Sequence, residues 1–113
     1  MENLTVQAIS SQEDFQTTVL EATEPTLVYF WATWCTSCRA LSPRVDALAQ
    51  DSKAAFKVAK AEVSKLPELT EQYGIQSVPT MLLFKPGNPK PTEMVLSTYV
   101  KDWAEYVNRR VTA

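Results

Sequence analysis

The 113 residues contain no histidine, only two glycines and only two cysteines, and each scarcity excludes something. Without histidine there is no CxxCH haem attachment, no imidazole metal ligand and no imidazole acid or base. Two cysteines three positions apart do not make a structural disulfide framework, and a four-sulfur zinc or iron–sulfur site would need a second chain. Long apolar runs are missing too: the longest, residues 27–32, is far too short to cross a bilayer. Nor is there a basic stripe. The 11 Lys and Arg are scattered among 13 Asp and Glu for a net charge of -2, so nucleic acid and anionic membrane surfaces drop out as partners. The N-terminal stretch has no basic segment followed by an apolar one, so no secretory signal is expected, and a chain that begins at its natural start is expected to be cytoplasmic.

What is present is the composition of a folded protein. Apolar residues make up 45% and charged residues 21%, with three Trp, four Tyr and four Phe. That is enough to build a core, and the length suits one compact domain over residues 1–113. No repeat, linker or low-complexity tract interrupts the chain.

The patterning alternates strands with helices. Residues 4–9 alternate as a strand does, and Ser10 with Glu13 forms a capping box for a helix whose apolar face is Phe15, Val19 and Ala22. The continuous apolar run 27–32 predicts a central strand covered on both faces. A helix is expected over 35–51, with Leu41, Val45 and Leu48 on one face and a kink at Pro43, which has no amide proton. Residues 55–63 form a third strand. Residues 67–73 form a short helix opened by Pro67 and ended by Gly74.

A strand over 79–85 leads to Lys85-Pro86-Gly87-Asn88, a type II turn, and to a return strand over 93–98 at a sheet edge. Val100, Trp103, Ala104, Val107 and Val111 mark the buried stripe of a closing helix. The order βαβαβαββα implies an α/β fold, a mixed sheet of about five strands flanked by four helices.

The chemistry lies in Trp34-Cys35-Thr36-Ser37-Cys38, just past the central strand and where a helix begins. A helix N-terminus presents unpaired amide protons and partial positive charge, and both favour a thiolate. Thiol–disulfide exchange proceeds through the thiolate, so Cys35 is placed to attack. Cys38, one turn on and expected to be the more buried, is placed to resolve the mixed disulfide. The alternative is a pair of buried cysteines with no redox role, which the strand before and the helix after argue against.

These residues resemble the thioredoxin family. The resemblance is carried by LVYFWATWC, by Pro43 within the second helix, by Lys60 on the third strand and by YGIQSVPTMLLF with its Val78-Pro79-Thr80, and it covers essentially the whole chain. It implies the thioredoxin fold, with Pro79 in the cis form, its loop facing the cysteines, and backbone beside Ser77 and Val78 pairing with a bound peptide. It also implies Trp34 as an exposed aromatic on the docking surface, whereas Trp31 suits a core position. No cofactor beyond the redox-active disulfide and no metal are implied. The partners would be protein disulfide substrates and a donor of the thioredoxin-reductase type, served by a monomeric electron carrier in cell redox homeostasis.

Three departures qualify the resemblance. Thr36-Ser37 replaces the usual Gly-Pro, which restores one amide donor and adds hydroxyls near Cys35. A reduction potential above thioredoxin's roughly -270 mV, nearer about -230 to -200 mV, is therefore expected unless both side chains bond only their own backbone. Tyr29 stands where the family has a buried Asp that helps deprotonate the second cysteine, and a phenol with a pKa of about 10 is a poor acceptor. Glu62, on the same strand face as Lys60, is a candidate substitute, directly or through water; a solvated Lys60–Glu62 ion pair is the more ordinary arrangement. Leu96 stands near a family glycine where substrate backbone approaches. It either narrows the groove and restricts the partners or is simply an edge-strand apolar residue.

The leading expectation is thus a thiol–disulfide oxidoreductase. The rivals are a thioredoxin-like binding module with little turnover and a more oxidising oxidase or isomerase.

Overall fold

The computed structural model describes residues 6–112. Among them lie β1 (Gln7–Ala8), α1 (Gln12–Phe15, continuing as a π-helical turn over Gln16–Leu20), β2 (Thr26–Trp31), α2 (Thr36–Ala49), β3 (Lys57–Glu62), a 3₁₀ turn (Val63–Lys65), α3 (Pro67–Gln72), β4 (Thr80–Lys85), β5 (Asn88–Met94) and α4 (Trp103–Val111). The strands form one mixed sheet in the order β1-β3-β2-β4-β5. β1 and β2 run parallel to β3, while β4 is antiparallel to β2 and to β5. The expected element order and the α/β sandwich are found.

β2 sits mid-sheet because its residues serve both faces. Leu27 and Tyr29 join Leu41, Val45 and Leu48 of α2 and Trp103, Ala104 and Val107 of α4 in one buried cluster. Val28 and Phe30 join Phe15 and Val19 from the α1 segment and Leu69 of α3 in the other. There the rings of Phe15, Tyr73 and Phe84 meet with centroids 5.2 to 5.7 Å apart, two of the three contacts edge-on.

Two of the expected boundaries move, the cap of α1 and the return strand, while α2 contains Pro43 as expected. Part of the first strand's expected span, residues 4 and 5, lies outside the described residues. The cap of α1 is one residue later than read: Ser11, not Ser10, accepts from the Asp14 amide at 2.9 Å, and the Asp14 carboxylate accepts from the Ser10 amide at 2.8 Å. α2 continues through Pro43. The return strand is Asn88–Met94 rather than 93–98, so Pro89 and Pro91 lie inside it. Their tolerance follows from its place at the border of the sheet, where one side of the strand needs no partner.

The two glycines both take the left-handed backbone that L side chains avoid. Gly74 (φ 62°) follows α3, and its amide donates to the Glu71 carbonyl; Gly87 (φ 73°) turns β4 into β5.

Candidate functional site

The end of β2, the start of β4 and the end of β5 meet at one end of the sheet, since Phe30 pairs with Thr80 and Met81 with Met94. The chain leaves β2 at Trp31, turns so that the Cys35 amide donates to the Ala32 carbonyl at 3.2 Å, and enters α2. Cys35 is the N-cap of that helix. In extended backbone (φ -92°, ψ 108°), its Sγ takes the place of the usual capping oxygen and accepts from the Cys38 amide at 3.1 Å. A sulfur so placed faces the positive end of a 14-residue helix.

Cys35 and Cys38 are joined in a disulfide, with Cα atoms 5.2 Å apart. Cys38 is wholly buried and Cys35 keeps 6% of its surface, so only Cys35 is reachable from outside. Trp34 beside it is 69% exposed, as a docking aromatic would be. Trp31, expected in the core, is half-buried at the end of β2.

The Val78–Pro79 peptide is cis, as the resemblance implied. The Val78 carbonyl oxygen lies 3.6 Å from Cys35 Sγ, so the loop does face the cysteines. Thr80 Oγ1 donates to the Ser77 carbonyl at 2.6 Å and closes that loop. A cavity of about 150 Å³ runs between Trp34 and this loop, with Val63, Ile75, Ser77 and Val78 among its walls. Thr36 and Ser37 are exposed in the first turn of α2.

Beneath the disulfide the floor is polar. Tyr29, only 1% exposed, donates its hydroxyl to the Cys38 carbonyl at 2.9 Å; Ser42 Oγ donates to the same oxygen at 2.9 Å, and the two hydroxyls are 3.4 Å apart. Burial pushes the Tyr29 phenol above its ordinary value, Ser42 opposes that shift and the Asp46 charge adds to it. Tyr29 is therefore a neutral hydroxyl at neutral pH and a donor rather than a base.

Glu62 is not in hydrogen-bond contact with Cys38. Its carboxylate accepts from Ser64 Oγ at 3.0 Å and pairs with Lys65 at 3.7 Å, in place of the expected pairing with Lys60. Lys60 instead lies over the Trp31 ring, 5.6 Å from its centroid. Leu96 lies past the end of β5, not in the strand, and is buried in the α2/α4 cluster; its neighbour Val95 is exposed.

Two further groups escaped the sequence reading. Arg44 of α2 donates to the carbonyls of Ser97 (3.3 Å), Val100 (2.8 Å) and Lys101 (3.2 Å), while its guanidinium stacks 4.3 Å from the Trp103 ring. Trp103 Nε1 adds a fourth bond, to the Ser97 carbonyl at 3.1 Å. Together they tie segment 97–101, and through it α4, to the redox helix. The other group is Ser42 with Asp46, whose only signal in the sequence is a spacing of four from Cys38, which puts all three on one helix face. No group of three or more His, Cys, Asp and Glu arranged to hold a metal occurs among the described residues, and no helix among them is long and apolar enough to cross a membrane.

Comparison with known proteins agrees with this geometry. The family model described as Thioredoxin matches residues 6–108. A thioredoxin of Rickettsia bellii is 40% identical over 86 residues, covering 76% of this chain and 82% of that protein. Thioredoxin 1 of Synechococcus elongatus is 42% identical over 84 residues, covering 74% and 78%. The crystal structure of Malassezia sympodialis thioredoxin has a TM-score of 0.76 over 99% of this chain and 92% of that one; at 24% identity it is a likeness of fold. With a disulfide capping the redox helix, a cis proline facing it and relatives of this kind, the chain belongs to the thioredoxin family and is a thiol–disulfide oxidoreductase.

Proposed function

We propose that Cys35 is the attacking nucleophile and Cys38 the resolving thiol in a two-step exchange with protein disulfides. The observation that carries this reading is the Cys38 amide donated to Cys35 Sγ at the head of α2. That bond and the helix dipole stabilise the Cys35 thiolate and leave the thiol the poorer competitor. The thiolate attacks one sulfur of the partner's disulfide, the partner's other sulfur leaves as a thiolate, and Cys38 then displaces the first from the mixed disulfide. Two electrons pass to the partner, and the enzyme is left with the disulfide of this structure.

Trp34, Ser77, Val78 and Pro79 form the docking surface, with a substrate strand pairing against backbone beside Val78. Leu96 contributes only its backbone at the rim, since its side chain is buried. Thr36 and Ser37 raise the potential above about -270 mV, toward about -230 to -200 mV, by adding donors near the Cys35 thiolate. A reductase of the thioredoxin-reductase type returns the electrons, and the disulfide is the only redox group. Both cysteines belong to the pair and none is left for a structural bridge, which suits a single-domain, monomeric electron carrier in the cytoplasm.

Insulin reduction driven by dithiothreitol tests this reading. The wild type is expected to precipitate insulin at a cysteine-dependent rate that Cys35→Ser reduces to the background of dithiothreitol alone. A Cys35→Ser protein as fast as wild type would end the proposal. A glutathione titration that returned a potential at or below about -270 mV would end its Thr36-Ser37 clause.

A further inference from the structure

A buried thiol that must lose its proton needs somewhere to send it, because desolvation opposes the thiolate. Cys38 is wholly buried, and the residue beneath it, Tyr29, is a neutral phenol. Proton-bearing groups nonetheless lie against its backbone. The hydroxyls of Tyr29 and Ser42 both lie against the Cys38 carbonyl at 2.9 Å and within 3.4 Å of each other. Each hydroxyl can accept one proton while donating another.

Beyond them opens a cavity of about 60 Å³ walled by Tyr29, Trp31, Ser42, Val45, Asp46 and Lys60. That is room for water, which needs about 10–15 Å³ and polar partners, and the walls supply such partners from α2, β2 and β3. Among those walls Asp46 is exposed on α2, one turn past Ser42, so it can exchange protons with solvent.

We propose that the proton leaving the Cys38 thiol passes by way of the Tyr29 and Ser42 hydroxyls and the cavity to the Asp46 carboxylate, which serves the resolving step in place of a buried acid. Asp46 touches neither sulfur and acts through Ser42 and Tyr29. The proposal rests on the dithiol reading above. The step balances. Cys38 gives its proton to Asp46, its thiolate attacks Cys35 Sγ, the Sγ–Sγ bond forms, and the bond from Cys35 to the partner breaks. The partner's sulfur departs with the electron pair and takes a proton from water, and Asp46 releases its proton to solvent.

The charged and titratable groups facing the cavity are Asp46 itself, Tyr29 from β2 and Lys60 from β3; Lys60 provides the opposing positive charge. Glu62, on the same face of β3, is held by Ser64 and Lys65 and walls a different cavity.

Stopped-flow reaction of the reduced protein with dithiobis-nitrobenzoate resolves the steps. The first thionitrobenzoate released reports Cys35 attack and the second reports Cys38 resolution. Asp46→Asn is expected to slow the second phase about tenfold or more near pH 6. The difference should narrow as pH rises past the ordinary thiol value of about 8.5, where hydroxide competes with the carboxylate for the proton. Asp46→Glu should restore the wild-type profile, and Tyr29→Phe combined with Ser42→Ala should reproduce the Asn profile. An Asp46→Asn second phase that follows the wild type at every pH overturns the proposal. A Cys38→Ser protein that still releases the second thionitrobenzoate at the wild-type rate overturns the dithiol reading itself, and this inference with it.

Discussion

The two faces of the sheet are built to different rules. Under α1 and α3 the centre is apolar, with three rings packed against one another, and buried polar groups are confined to Thr18 and to Thr26 at the start of β2. Under α2 and α4 a second buried cluster is crossed by a polar seam: two hydroxyls on one carbonyl, a cavity with Asp46 and Lys60 on its walls, and a guanidinium spread over three carbonyls. Polar groups within a core are tolerated only when satisfied, and among the described residues no buried side-chain nitrogen or oxygen lacks a partner. One face is therefore apolar at its centre, while the other carries a satisfied polar seam beneath the disulfide.

That division can be broken experimentally. The largest effect is expected from Phe84→Ala, which removes the ring that both Phe15 and Tyr73 contact. Urea unfolding should show a loss of about 3–5 kcal/mol, with the potential of the protein that remains folded unchanged. A shifted potential would mean that the faces are not separable. A smaller loss, about 1–3 kcal/mol, is expected from Arg44→Ala, which releases the carbonyls of segment 97–101. Hydrogen exchange should locate the loosening in that segment and in α4. Arg44→Lys should recover little of it, because an ammonium cannot reproduce the fork or the stacking on Trp103.

The smallest effect belongs to the apolar face's own margin. Hydrogen bonds from the Ser10 amide and from Thr18 hold the Asp14 carboxyl below its ordinary value of 3.8. A lowered folded value makes the contribution complete above 3.8, and it fades as pH falls from there through the folded value. Asp14→Asn should therefore flatten the acid limb of a stability–pH curve by at most about 0.5 kcal/mol, since the group is solvent-screened, and leave the curve near neutrality with the same shape.

Much of this design could be read in the residue order. A six-residue apolar run has no polar side to turn to water, so β2 had to lie in the middle of the sheet. The cysteines announced themselves by following it, and Pro67, Gly74 and Gly87 punctuated the chain where their backbones permit nothing else. β5 was misplaced because prolines at 89 and 91 argue against a strand until it is known that the strand is at the border. Ser42 and Asp46 were silent because a serine or an aspartate inside a helix is most often just wet; only the fold brings Tyr29 up beneath them. Arg44 was silent for the same reason, since its partners are backbone carbonyls more than fifty residues away, and backbone carries no letter.

The prolines of β5 have one more consequence. A sheet recruits a foreign strand by offering amide protons along its outermost chain, and at two positions of Asn88–Met94 there are none to offer. At the opposite border β1 is two residues long, too short a template for a newcomer to grip. A thiol–disulfide oxidoreductase, which must meet and leave another molecule at every turnover, thus has both flanks of its sheet unsuited to lasting attachment.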